Sequence, residues 1–275
     1  MGLEYDPIKA KIGWWIRKST LLRRLFYVVL GRLFLREQHV KRELKRIADS
    51  GIPIGNILDA GSGYGQISWY CAKLFPEAEL LGIDVKVEQV QDCNRFFQKL
   101  GLSRCRFQVD DLETIAFDSG FDLVFSIDVM EHVVKDEVVL GNFFRALRKG
   151  GICILHLPYR DPNKPLSSDL KLVDSVVAEH VREGYTPDEI RQKLSQVGFE
   201  VDKLIFTYGE DGAKVWRWLQ GSPMRWLDCC KWVIVLLPFY YAVVYPVAAW
   251  YMRKDLRRDN TCGGAMLVVS KKLES

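Results

Sequence analysis

The stretch Asn56-Ile57-Leu58-Asp59-Ala60-Gly61-Ser62-Gly63-Tyr64-Gly65-Gln66 decides how the rest of the chain is read. Ile57-Leu58 reads as a short buried strand, and the residues from Tyr64 onward as the start of a helix. Between them stand three glycines at alternate positions. Glycine serves where a chain turns sharply or where a ligand must approach backbone, because it has no Cβ. A glycine turn at the carboxyl end of a strand is where open α/β sheets bind ligands.

Two kinds of ligand compete for such a turn. A dinucleotide site needs Gly-x-Gly-x-x-Gly, with the pyrophosphate on the helix N-terminus. Here the spacing is Gly61-x-Gly63-x-Gly65, and Asp59 stands where its charge opposes a phosphate. A carboxylate at that point suits a cationic ligand without phosphate, and S-adenosyl-L-methionine has both properties. The run Leu58-Asp59-Ala60-Gly61-Ser62-Gly63-Tyr64-Gly65 resembles the first motif of class I S-adenosylmethionine-dependent methyltransferases. The other reading is a plain glycine-rich turn.

Reading onward, Glu79–Asp84 is a strand ending in an acid about twenty residues past the glycines, the separation of one β-α-β unit. An acid there bonds a ribose hydroxyl pair; the alternative is an acid that caps the next helix, which spans about 87–100. Arg104–Val109 is a third strand, followed by Asp110-Asp111-Leu112. In the resembling family an acid here meets the adenine amino group, and either Asp110 or Asp111 fills that place. Phe121–Ser126 is a fourth strand and runs into Ile127-Asp128-Val129-Met130-Glu131-His132-Val133. A helix at 136–148 follows, with Lys149-Gly150-Gly151 as its stop, and then a strand over Ile152–Pro158. This block again resembles the class I enzymes, most closely those that methylate small molecules. The resemblance covers 54–160 well and extends weakly to 207.

The resemblance implies a doubly wound, Rossmann-like α/β fold with seven strands in the order 3-2-1-4-5-7-6. It implies a cofactor site of Asp59, Gly61, Ser62, Gly63, Gly65, Gln66, Asp84, Val85, Asp110, Asp111, Leu112, Ser126 and Ile127. Thr186-Pro187-Asp188-Glu189 carries a capping box with proline at the first helical position, so a helix runs from there to Gly198. Phe199–Thr207 and Ala265–Lys271 are the last two strands.

Composition bounds the rest. The chain has 275 residues, a net charge of +4 and ordinary apolar content, enough for one large α/β domain with additions. The seven cysteines form no disulfide framework or metal spacing, which points to reduced thiols in a cytosolic compartment and to no metal. The early apolar stretch is broken by Gly31-Arg32 and lacks a cleavage site, so it is not read as a secretory signal.

Two additions flank the core. Residues 1–50 read as basic amphipathic helices, with a break near Lys18-Ser19-Thr20 and Ser19 or Thr20 as a cap. Leu21, Leu22, Leu25, Phe26, Val28, Val29, Leu30, Leu33, Phe34 and Leu35 make a broad apolar surface punctuated by arginines. This segment suits either packing on the catalytic domain or lying in a lipid headgroup region. The methyltransferase domain is then 51–207 with 261–275, and residues 208–260 form an insert where the family has a short hairpin loop. The run Trp232–Met252 is uncharged and of membrane-crossing length, about twenty residues, and it shows no polar face. Because the flanking strands pair in one sheet, the insert must return to the same edge. It is therefore expected to dip into one leaflet and return, as a bent or paired-helix arrangement in which Pro238 and Pro246 can each break a helix. Tryptophans and tyrosines would sit at headgroup level, and Arg217, Arg225, Lys231, Arg253, Lys254, Arg257 and Arg258 would face anionic lipid. That places the protein on the cytoplasmic face of a membrane, peripheral or monotopic.

Methyl transfer is an in-line displacement in which alignment supplies much of the rate. An oxygen nucleophile also calls for a base. His180, in the segment after the fifth strand, is the first candidate; His132 follows, with Tyr159 as a positioning hydroxyl. His156, inside a strand, reads as a satisfied core histidine. The favoured reading is a methyltransferase for a lipophilic small molecule, such as a lipid, quinone or isoprenoid, at a membrane surface. The alternatives are a methyltransferase for a soluble metabolite or cell-envelope sugar, and a non-catalytic membrane-attached scaffold. Nucleic acid is not an expected partner: the basic residues are interleaved with long aliphatic ones, and no Asn-Pro-Pro-Tyr-type motif is present. Nothing in the sequence sets the oligomeric state.

Overall fold

The structure, a computed structural model, describes residues 19–161, 163 and 181–273. The candidate base His180 and the first eighteen residues lie outside the described residues.

Seven strands form one sheet in the order β3-β2-β1-β4-β5-β7-β6. They are β1 (Asn56–Ala60), β2 (Glu79–Asp84), β3 (Cys105–Val109), β4 (Phe121–Ile127), β5 (Leu147–Pro158), β6 (Phe199–Thr207) and β7 (Ala265–Lys272). The first five run parallel, and β7 lies antiparallel between β5 and β6. The order and the pairing are those expected. A parallel sheet must be covered on both faces, and alternate residues of one strand accordingly enter different cores. Ile57 packs with Phe97, Phe125 and Ile154 on one face. Leu58 packs with Val124, Phe143 and Leu155 on the other.

The helices are α1 (Thr20–Leu33), α2 (Leu35–Asp49), α3 (Gln66–Leu74), α4 (Val87–Lys99), α5 (Asp136–Ala146), α6 (Pro187–Val197), α7 (Glu210–Trp216), α8 (Ser222–Cys229) and α9 (Leu237–Arg257). Ser19 caps α1, its hydroxyl accepting from the Leu22 amide. Thr186 and Glu189 form the capping box of α6, and Gly198 closes that helix at φ 108°.

Three local expectations are corrected. The helix expected to run from Ser19 or Thr20 to about residue 50 breaks at Phe34, whose backbone is extended. Lys149-Gly150-Gly151 does not follow a helix end but lies inside β5, which starts at Leu147 paired with Phe121. The register shifts between Phe121 and Leu123, and Gly150 at φ 75° takes up the irregularity. The two prolines differ. The apolar run breaks at Pro238, which opens α9 just after a 3₁₀ turn at Lys231–Val235, where no amide donor is required, whereas Pro246 sits inside α9, which continues through it.

The insert is a helical layer that doubles back. Tyr240 and Tyr241 of α9 donate their hydroxyls to the carbonyls of Trp218 and Leu219, each at 2.8 Å. Leu35 of α2 packs with Val215, Leu219, Ala248 and Met252 in a small core of its own. Buried His39 and Asp255 lie 3.0 Å apart (Nε2 to Oδ2), fixing α2 to α9. Among the described residues no helix is long and apolar enough to cross a membrane.

Candidate active site

The glycine turn begins where β1 ends. The amides of Gly61 and Ser62 both donate to the Ile83 carbonyl at 2.8 Å, tying the turn to the end of β2. Gly61, Gly63 and Gly65 have φ of 87°, 51° and 70°, the left-handed region that favours glycine. They are not equivalent. A Cβ on Gly61 would lie 2.3 Å from a Val129 methyl, and one on Gly65 would meet Cys93 and Phe97 at 3.2 Å. A Cβ on Gly63 would meet only Gln89 Oε1, at 3.9 Å, and point into open space. Gly63 thus supplies the close approach, while Gly61 and Gly65 permit the packing that shapes it.

A cavity of about 790 Å³ opens over this turn. Asp59, Gly61, Ser62, Gly63, Gln66, Asp84 and Val85 line it on one side, with Asp110, Asp111, Leu112 and Ile127 beyond. Gly65 and Ser126 stand behind this wall; Ser126 is fully buried in β4. Asp84 Oδ2 accepts from the Gly63 amide at 2.8 Å and Oδ1 from the Lys86 amide at 2.9 Å, so the carboxylate is held rigidly at the cavity edge. The Asp110 and Asp111 carboxylates both lie at the same end, and each accepts a backbone amide, of Asp111 and of Glu113 respectively. Gln66 donates to Glu37 Oε1 at 2.6 Å.

Asp59 is buried, and its one hydrogen-bond donor among the described residues is the Ser68 hydroxyl. Burial pushes its carboxyl up to about 7, and the neighbouring Asp84 charge adds to the shift. The Ser62 hydroxyl is buried without a partner among the described residues. A cationic ligand beside Asp59, with a polar group for Ser62 and a diol for Asp84, fits these vacant valences. S-adenosyl-L-methionine has the sulfonium, the amine and the ribose that match them.

The far side of the cavity is built by the two additions. Phe26, Leu30, Leu33 and Phe34 come from the N-terminal helices; Trp216, Leu219, Pro223, Met224, Leu227 and Tyr241 come from the insert. Sequence reasoning left the N-terminal helices between packing on the catalytic domain and lipid contact, gave the insert to lipid contact, and did not foresee this role. It also passed over Arg36 and Asp128, which line the cavity. Arg36 donates to Asp128 Oδ2, and His156 Nδ1 lies 2.5 Å from Asp128 Oδ1. Burial alone would raise the Asp128 carboxyl, but Arg36 and His156 hold it well below the usual carboxylate range. Glu131, buried next to it, is pushed well above that range by burial and by the Asp128 charge. Their surroundings thus push the two carboxyls in opposite directions.

Of the three catalytic candidates, His132 and Tyr159 lie among the described residues, and they separate. His132 lines the cavity. Tyr159 is half-buried outside it, its ring edge-on to Phe206 at 5.1 Å. His156 is a core residue, bonded to Asp128 and to Thr207 Oγ1 at 3.1 Å.

The methyltransferase-domain family matches residues 54–205, more than half of the chain. The chain is 24% identical over 216 residues to the ubiquinone biosynthesis O-methyltransferase of Psychrobacter arcticus, covering 74% of this chain and 83% of that protein. It is 27% identical over 153 residues to phosphoethanolamine N-methyltransferase 1 of Arabidopsis thaliana, covering 54% of this chain and 29% of that one. In structure it resembles geranyl diphosphate C-methyltransferase from Streptomyces coelicolor A3(2), with a TM-score of 0.58, 13% identity, and coverage of 84% of this chain and 77% of that one. A likeness at that identity speaks to the fold alone. The family match covers the strand–glycine turn–helix unit and the acids that follow it. The chain belongs to the methyltransferase-domain family, as an S-adenosyl-L-methionine-dependent enzyme of the class I fold related to small-molecule methyltransferases.

Proposed function

We propose that the chain methylates a lipophilic small molecule that it takes up at a membrane surface. The observation that carries this reading is the two-sided cavity: a polar cradle at the carboxyl ends of the sheet's interior strands faces an apolar chamber built by α1, the Phe34 break and the insert. Apolar walls recognise an apolar body, and the few polar groups at one end set its orientation.

When bound, S-adenosyl-L-methionine supplies an electrophilic methyl on a sulfonium. The protein's part is alignment. Asp84 and the Asp110-Asp111 pair hold the nucleoside end, and Asp59 faces the charged end. His132, on the cavity wall, is the described residue placed to take a proton from an acceptor hydroxyl; His180 remains a candidate from the sequence.

The membrane part of the reading is supported by side chains on the outside of the same two elements. Trp232, Phe239 and Val243 of the insert are 83%, 73% and 75% exposed, and Leu21, Leu25 and Val28 of α1 are exposed as well. Such apolar groups, with aromatic and basic neighbours, suit a headgroup region.

A soluble acceptor is the second reading. It is favoured by the phosphoethanolamine enzyme among the relatives and by the charged groups Arg36, Glu37 and Lys86 on the cavity wall. Incubating membranes and soluble extract with cofactor labelled in the methyl group separates the two. The favoured reading expects label in the lipid extract; label confined to water-soluble metabolites overturns it.

A further inference from the structure

Helix α1 lies outside the matched family region, yet two of its side chains converge on the glycine turn. Arg23 is only 3% exposed. Its Nη2 donates to the Tyr64 carbonyl at 2.9 Å, and its Nη1 to Asp92 Oδ2 at 2.5 Å. Its Nε donates to the Tyr27 hydroxyl at 2.7 Å, and that hydroxyl in turn donates to the same Tyr64 carbonyl. The guanidinium also lies over the Phe96 ring, 4.3 Å from its centroid. A surface helix that only covered apolar area would not need a buried arginine forked between a carboxylate and a backbone carbonyl. Burying that cation is costly unless its donors are used.

The carbonyl that is gripped belongs to the one non-glycine residue between Gly63 and Gly65. Glycine turns are conformationally free, so a preformed cradle needs an outside restraint. From the sheet side, Ile83 and Asp84 hold Gly61, Ser62 and Gly63. From the outer side Arg23 and Tyr27 hold Tyr64. The same helix presents Phe26, Leu30 and Leu33 to the cavity.

We infer that Arg23 is a positioning residue for the cofactor, acting through the Tyr64 carbonyl, so that docking of α1 and binding of S-adenosyl-L-methionine reinforce each other. By reciprocity of linkage, ligand in the cradle must then tighten α1, and loosening α1 must weaken the ligand. The inference rests on the cradle being the cofactor site and is independent of which acceptor is methylated.

The probe is S-adenosylhomocysteine, which needs no acceptor. In the full-length protein it should slow amide hydrogen exchange in residues 20–33 as well as in 61–66. Arg23→Met with Asp92→Asn, which removes both buried charges together, should weaken S-adenosylhomocysteine binding about tenfold, the worth of a hydrogen bond to a charged group. Arg23→Lys should restore part of it, since an ammonium meets Asp92 but does not fork to the carbonyl. Leu44→Ala, a core truncation in α2, is the control for mere destabilisation: a lower melting temperature with unchanged affinity. Unchanged exchange over 20–33 on saturation overturns the inference, and this measurement stands even where the double variant does not fold. A folded double variant that binds within twofold of the native protein overturns it too. A native protein that does not bind S-adenosylhomocysteine at all would instead remove the cofactor assignment beneath it.

Discussion

His156 Nδ1 and Asp128 Oδ1 lie 2.5 Å apart, joining the carboxyl end of β5 to the loop after β4. Asp128 has φ 54°, a conformation in which Asp and Asn are enriched among non-glycine residues. Asp128→Asn should therefore keep the backbone but release Arg36, weakening S-adenosylhomocysteine binding about tenfold by loss of a charge-assisted bond. Asp128→Ala should show the same loss and, in addition, a stability cost of about 1–2 kcal/mol from left-handed strain. Calorimetric titration and thermal melts of the two variants test this; equal melting temperatures would discard the strain argument.

The glycines should separate in mutagenesis. Gly63→Val places a side chain in open cavity and should abolish cofactor binding while leaving a folded protein, at a cost of about 1–2 kcal/mol for the positive φ. Gly61→Ala drives a methyl into Val129 and should lower stability by a further 1–3 kcal/mol or so. Unchanged calorimetric affinity in Gly63→Val would remove the cradle assignment.

Asp59 sets a pH dependence. In the free protein its carboxyl is raised from 3.8 to about 7. A cationic ligand favours the ionised form, so cofactor affinity should fall as pH drops below about 7, by up to about tenfold per unit. Asp59→Asn should flatten the profile. For stability the sign is opposite. The group's contribution is fully present below its ordinary value of 3.8 and is lost as pH rises through about 7, so ligand-free protein should lose stability across that window. Affinity measured from pH 5.5 to 8 in both proteins checks the first claim, and melts of ligand-free protein check the second.

His132→Ala should lower turnover far more than cofactor affinity, because the ring lines the cavity. A proton transfer of this kind contributes about a hundredfold or more. Once an acceptor is in hand, comparing turnover with S-adenosylhomocysteine affinity decides it; undiminished turnover excludes His132 as the base.

Replacing Trp232, Phe239 and Val243 together by serine should release the protein from anionic vesicles. These side chains are exposed, so S-adenosylhomocysteine affinity should be unaffected. Flotation of native and triple-variant protein with vesicles tests the membrane proposal; native protein that does not float refutes it.

The sheet was legible because each strand is a short apolar run with a turn behind it, a local signal. So were Asp59, the glycines and Asp84, whose spacing follows from one β-α-β unit. Residues whose surroundings come from distant parts of the chain were not. Arg23 reads as a solvent or lipid cation until Asp92 and Tyr64 are brought to it. Arg36 looks like its neighbours until Asp128 meets it. Ser126 follows the strand pattern as well as Ile127 does, but alternation along β4 puts only Ile127 on the cavity. The uniformly apolar Trp232–Met252 run also had two possible coverings. Its inner residues, Ala248 and Met252, pack on Leu35 and Leu219, and only its outer residues need another partner.

The insert leaves and rejoins the sheet at Thr207 and Ala265, which face each other in the β6–β7 ladder. A segment whose two ends are already neighbours lengthens or shortens at small entropic cost, about 0.6 kcal/mol per doubling. The insert's share of the cavity wall is therefore an exchangeable part, anchored at a fixed pair of posts, whereas the cradle is woven through the sheet's interior strands. Grafting the corresponding segment of another class I enzyme between Thr207 and Ala265 should change what is methylated without changing how the methyl donor is held. New substrate ranges can arise in such a chain by replacement of a single continuous stretch.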